Sequence, residues 1–414
     1  MSCHAQTAAV PFLSPRQENL LEYELIRAIN RVTLDEKKII GVISAFPVLG
    51  RKANPATGQQ PSARWTVFEE LAKDYHLFEI PQDLPEIPDG IDAILVFHPS
   101  GISAKTLYAL DQYLMRGGNL GVFLDPDSAY ARANIRRDYS MLDKQSSDFG
   151  PLLSAWGIAY DKNILSADMI FKLDRIASNG TRQVIPTVLN VDHRGINKDI
   201  GYLKGLSAVR MNFTGAFPLL QEIDGLNYER LLFTTDQAKL VSVNDSPEKV
   251  FADFQNASGK DPDYRVFPLA WHISGKFSSA YPNGAPDAAA ILSREHLTKA
   301  EKRGSVFLFG DTDMLFHDAC VTVHTDEFNQ QELLRSNDNL TLLQNIADEL
   351  TQSLQLAELR NRIPMNRPLT KVNESKLKAD LKYKDHILAL GLDFNKMQKQ
   401  VELLNKYVVA NGGQ

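Results

Sequence analysis

The chain has 414 residues, enough for two domains or one domain with large insertions, and 43% hydrophobic against 23% charged residues is the balance of a globular protein with a sizeable core. A net charge of −6, with acidic and basic residues interspersed, argues against a general nucleic-acid partner, which needs a concentrated basic surface. Two cysteines, Cys3 and Cys320, exclude a disulfide framework, and no run of about 18 apolar residues is present to span a bilayer.

Residues 1–9 have neither the basic start nor the apolar centre of a signal peptide. Apolar positions at Leu21, Leu25, Ile29 and Val32 recur at helical spacing and predict a helix over 16–32. Residues 38–44 are short, β-branched and mostly apolar, the pattern of a strand buried on both faces. A polar loop follows over 50–62, then a helix over 63–74 and a strand over 76–80. A third strand is predicted at 91–97. Ser103 is placed to cap a helix over 104–116, and Gly117-Gly118 to end it. Residues 119–124 read as a fourth strand, stopped by Asp125-Pro126. Strand and helix alternating with short connections predict a doubly wound, mostly parallel α/β sheet.

Between 132 and 300 the pattern blurs into shorter, more polar segments, read as a mixed α+β insertion with antiparallel strands. The core pattern returns with a fifth strong strand at 304–310 and a helix at 337–350. From 372 to 406 the apolar residues fit an amphipathic, coiled-coil-like helical tail or one packed back on its own domain. The expected divisions are 1–37 (lead-in and helix), 38–131 (first half of the core), 132–300 (insertion), 301–370 (core completion) and 371–414 (tail).

Ligands of such sheets sit at the carboxyl ends of the strands. The residues there are Ser44, His98, Ser100, Asp125, Asp311 and Asp313, and these are the candidate ligand-binding positions. Gly50-Arg51-Lys52 after the first strand is basic but lacks the glycine spacing that cradles phosphates, and neither a Walker nor a dinucleotide pattern occurs. Ser100 stands at a strand-to-helix turn, but a nucleophile elbow needs glycines on both sides and Pro99 precedes it. Asp311 and Asp313, with His317, Asp318 and His324 nearby, form the best polar cluster. They support an alternative reading as a hydrolase or metal-dependent carbohydrate-active enzyme. The favoured reading has Asp311 or Thr312 cap the next turn and leaves Asp313 solvated. No cysteine follows a buried strand as an activated nucleophile would.

Several segments in order resemble the ABC-transporter auxiliary family that includes the gliding-motility-associated GldG-type proteins. They are Val10-Pro11-Phe12-Leu13 with the helix through Val32; the run from Ala109 to Gly118, similar to an ID-Q-Y-L-x-x-G-G helix end; and the strand ending in Asp125-Pro126. Gly310-Asp311-Thr312-Asp313 resembles a G-D-S-D-F strand end, followed by the 337–350 helix and Arg367-Pro368. Met314-Leu315 stands where the family has Phe, and Ala347-Asp348-Glu349 where it has Trp. The resemblance implies a class I glutamine-amidotransferase-like, flavodoxin-type fold without catalytic residues, and no cofactor. It implies a non-catalytic, extracytoplasmic (periplasmic) module beside a permease and an ATPase, held to the membrane by segments absent from this chain. A homodimer through the tail helix is a further expectation.

Overall fold

The computed structural model describes residues 37–53, 61–176, 180–256, 263–286, 294–325 and 331–352, with isolated positions before residue 37 and Met397. They fall in one compact unit, apart from Met397, which belongs to a second unit of residues 13–22 and 364–414. The tail helix and the Arg367-Pro368 segment lie outside the described residues, as does nearly all of the 16–32 helix. No helix among the described residues is long and apolar enough to cross a membrane.

From residue 39 the elements run β1 (Ile39–Ser44), α1 (Thr66–Ala72), β2 (His76–Glu79), β3 (Ala93–Phe97), α2 (Ala104–Met115), β4 (Asn119–Phe123), α3 (Ala129–Asn134) and α4 (Pro151–Ala155). The insertion adds β5 (Ile164–Asp168), β6 (Lys172–Ile176), β7 (Arg182–Val191), β8 (Val209–Asn212), β9 (Leu226–Phe233), β10 (Ala238–Ser242), α5 (Pro247–Asn256) and β11 (Pro268–Gly275). The chain then returns through β12 (Gly304–Phe309), α6 (His317–Cys320), β13 (Val321–Thr325), β14 (Gln331–Arg335) and α7 (Asn339–Leu350).

Seven strands form one sheet in the order β9-β11-β12-β4-β3-β1-β2. The pairs from β2 to β12 are parallel, and β11 and β9 extend the edge antiparallel. The insertion is therefore not wholly outside the core: two of its strands continue the core sheet. Its other strands make a β8-β7-β6 antiparallel sheet and a β10-β5 pair.

The central strands read as unbroken apolar runs because both faces are covered. Leu95, Phe97, Phe123, Phe307 and Phe309 pack on one face with Val67, Phe68 and Leu71 of α1 and Leu343, Ile346 and Leu350 of α7. Their neighbours Ile94, Val96, Leu120, Val122, Val306 and Leu308 pack on the other with Leu110, Leu114 and Met115 of α2, and with Leu152 and Leu153 of α4. Gly121 makes room for this: a Cβ there would stand 2.7 Å from Leu95 and 3.1 Å from Leu350. Ser103 caps α2 by accepting the Thr106 amide at 3.2 Å, and Gly117 ends it at φ 88°. Since α1 and α2 lie on opposite faces, the connections diverge between β1 and β3, which opens a crevice over the carboxyl ends there.

Candidate functional site

Three of the strand-end residues hold backbone in place. The Ser44 hydroxyl accepts the Phe46 amide at 3.0 Å and closes the turn after β1. His98, at φ 48° and fully buried, stacks on Phe46 with ring centroids 4.3 Å apart. Its Nε2 donates to the Lys144 carbonyl at 2.8 Å, which leaves Nδ1 as the bare ring nitrogen, without a hydrogen-bond partner. A second proton would be stranded on Nδ1 in an apolar setting. Burial accordingly pulls the imidazole down to about 4, so His98 is neutral at physiological pH. The Ser100 hydroxyl donates to the Asp143 carbonyl at 3.2 Å. His98 and Ser100 thus fasten the 3-10 turn Tyr139–Lys144 over the sheet.

The other three come together. Parallel pairing sets Phe123 of β4 beside Phe309 of β12, and the residues that follow bring Asp125, Asp311 and Asp313 into one cluster. One oxygen from each lies within 4.8 Å of the other two, and all three side chains are buried. Asp313 is not solvated, contrary to the sequence expectation. Its oxygens accept Ser128 Oγ at 3.1 Å and the amides of Tyr130 at 3.0 Å and Ala129 at 2.5 Å, so that it closes the start of α3. Asp125 accepts both the amide (3.1 Å) and the hydroxyl (2.6 Å) of Thr312, and the Asp127 amide at 2.9 Å. Asp311 accepts the amides of Asn212 at 2.5 Å and Met314 at 3.2 Å.

Burial and mutual repulsion raise Asp125 and Asp311 well above the usual carboxylate range. Burial brings Asp313 to about 6 against the pull of its donors. An all-carboxylate set is the donor chemistry of a hard divalent cation. Here each of the six oxygens already accepts an N–H or O–H, the arrangement of a clasp that knits β4, β12, β8 and α3. His317 does not join the cluster. It is exposed, with Nε2 3.3 Å from Asp318, and the third member is Asp125. The side chain of His324 lies outside the described ones.

Above the clasp opens a cleft of about 1590 Å3. Core loops contribute Arg51, Arg64, Trp65, Tyr130, Arg137, Tyr139 and Lys144; the insertion contributes Arg175, Arg210 and Phe213; and Asp313 and Phe316 lie below. Of the six candidate residues only Asp313 lines it. Arg210 is half-buried. Burial lowers its pKa, the Arg175 guanidinium lowers it further, and Asp311 opposes both. Phe213 is held at φ 53°, a conformation costly for a bulky residue, and Arg132 sits 4.6 Å over its ring. Sequence reading missed these walls. The one trace in sequence was a four-residue alternation in β8, with Val209 and Met211 buried and Arg210 and Asn212 half-buried, too short to stand out.

No curated protein sequence matches the chain. Among solved structures, a ThuA-like protein from Bacteroides uniformis is similar over 77% of this chain and 93% of its own, at 12% identity and a TM-score of 0.32. The family model described as an ABC-type uncharacterized transport system matches residues 37–346, the stretch that holds the whole sheet, the clasp and the cleft, and the chain belongs to that family.

Proposed function

We propose that the protein is a non-catalytic auxiliary component of an ABC-type transport system, a ligand-sensing or interaction module on the extracytoplasmic face of the cytoplasmic membrane. One observation carries the reading. The polar groups at the strand ends, where an enzyme of this layout would keep its reactive groups, are spent on backbone: His98 on Lys144, Ser100 on Asp143, and the three aspartates on amides and hydroxyls. The rim is built to hold a cleft open. The order β2-β1-β3-β4 of the parallel strands supports a flavodoxin-type, class I glutamine-amidotransferase-like ancestry.

The partners in this reading are a multi-span permease and an ATPase, with attachment to the membrane through segments beyond this chain. The test is assembly. The full-length protein is expressed with the ATPase and permease encoded beside it and isolated by a tag in detergent, and protease is added to intact spheroplasts. A stoichiometric complex, with the domain cleaved before lysis, supports the reading. No complex, or cleavage only after lysis, refutes it. The tail helix is proposed to pair two copies. Sedimentation of a chain ending at Leu369 against the full chain checks this, and an unchanged oligomeric state counts against it.

A further inference from the structure

The cleft gathers cations from distant parts of the chain. On a chain of net charge −6, six cations line one opening: Arg51, Arg64, Arg137, Lys144, Arg175 and Arg210. Elsewhere several exposed cations are matched with carboxylates, as in Arg182–Asp174, Arg194–Asp192, Lys249–Asp245 and Arg294–Glu86. In the cleft only Arg51 has such a partner among the described residues, Asp138 at 4.0 Å. Arg175 and Arg210 both line the cleft with no carboxylate in ion-pair range among the described residues, and an arriving anion would be attracted to both.

Guanidinium forks match the two oxygens of a carboxylate, and they come here from both the core loops and the insertion. Between them stand aromatic rings, including Tyr139 at 81% exposure. The C–H face of a sugar ring packs on such rings, whose faces are electron-rich. A cleft of about 1590 Å3 exceeds what a single small metabolite fills.

We propose that this cleft binds an acidic oligosaccharide, a chain of uronic-acid-like rings whose carboxylates are gripped by the arginines while the rings stack on the aromatic side chains. The proposal rests on the reading of the domain as a ligand-sensing module and names the chemistry of that ligand. Phosphate-rich polymers and acidic peptides share the charge but offer no sugar face to Tyr139.

The test uses the full chain and calorimetric titration with a hexameric oligogalacturonate, a neutral hexasaccharide, inorganic polyphosphate and an oligoglutamate. The expected result is saturable, salt-sensitive binding of the oligogalacturonate and none of the neutral sugar. Arg137→Ala/Arg175→Ala removes two exposed cations and leaves the core untouched, and should weaken binding by about tenfold or more. Lys249→Ala, at a paired cation outside the cleft, should change nothing. Tyr139→Ala should weaken the oligogalacturonate several-fold.

Equal affinity for the neutral sugar, equal or tighter binding of polyphosphate or oligoglutamate, or unaltered binding by the double variant would each overturn the proposal. Co-purification with the permease and ATPase is scored separately. Lost sugar binding with an intact complex removes this inference alone, and a missing complex with intact sugar binding removes only the assembly reading.

Discussion

Two buried groups at the rim titrate in the same pH window with opposite effects on stability, and separating them is a sharp test of the structure. Asp313 has its ordinary value of 3.8 raised to about 6. The folded state therefore holds a proton that the unfolded chain has released, and stability falls as the pH rises from about 4 through 6. The difference corresponds to roughly 3 kcal/mol lost by neutral pH. His98 runs the other way. Its value drops from 6.5 to about 4, so the unfolded chain takes up a proton the fold refuses, and stability rises by about 3 kcal/mol as the pH climbs from 4 to 6.5. In the parent protein the two nearly cancel, and the raised values of Asp125 and Asp311 add a further loss as the pH rises.

Asp313→Asn removes one falling contribution, so its urea midpoint should fall less than the parent's, or climb, between pH 4.5 and pH 6.5. His98→Asn keeps a residue type tolerant of the positive φ and removes the rising contribution, so its midpoint should fall more steeply than the parent's over the same range. The assay is urea unfolding followed by tryptophan fluorescence at several pH values, since Trp65 and Trp156 are buried in the core clusters on opposite faces of the sheet. Parallel pH profiles for the two variants would refute the assignment of a neutral histidine and a perturbed aspartate.

Other consequences are local. Ser103→Ala removes the cap of α2 and should cost about 1 kcal/mol in urea unfolding at constant m-value. Gly157→Ala forces a side chain into φ 72° with its Cβ 2.1 Å from the Gln221 carbonyl oxygen, and should lower stability by at least about 2 kcal/mol and depress the melting temperature. The carboxylate of Asp338 accepts the Ser207 and Ala208 amides, at 2.5 and 2.9 Å, so Asp338→Ala should cost about 1–3 kcal/mol and speed hydrogen exchange at those two amides.

The core was legible because its strands are covered on both faces. The segments at 39–44, 93–97, 119–123 and 304–309 are apolar with little interruption, and at five or six residues they fit a central strand and are short for a buried helix. Ser103 and Gly117 were legible because caps act through local backbone geometry. The insertion was not. The sequence of β6, Lys-Leu-Asp-Arg-Ile, has no face that marks it as a strand, since it is half-covered at most, and β8 is too short for alternation to stand out. The clasp was half legible. Asp311 and Asp313 are neighbours in sequence, but Asp125 lies far upstream and meets them only because β4 and β12 pair in parallel. His317 is close in sequence and distant in chemistry, because the chain turns at Phe316 and sends it outward to Asp318.

A division of labour follows between rim and walls. The aspartates and His98 are buried and fix backbone, so changing them alters the frame, whereas Arg137 and Arg175 are exposed and lie on a loop and on a strand of the separate three-stranded sheet. Substitutions at exposed positions away from caps and cores shift stability by roughly 0.5 kcal/mol or less. The walls can therefore be rewritten without disturbing the sheet, and ligand preference can change while the clasp stays fixed. Arg137→Ala/Arg175→Ala should unfold at nearly the parent urea concentration while losing affinity for acidic sugar, and Asp311→Ala should do the reverse of the first by collapsing stability. A double wall variant that unfolded as early as the clasp variant would mean that the cleft cations belong to the frame, and the separation of shape from specificity would fail.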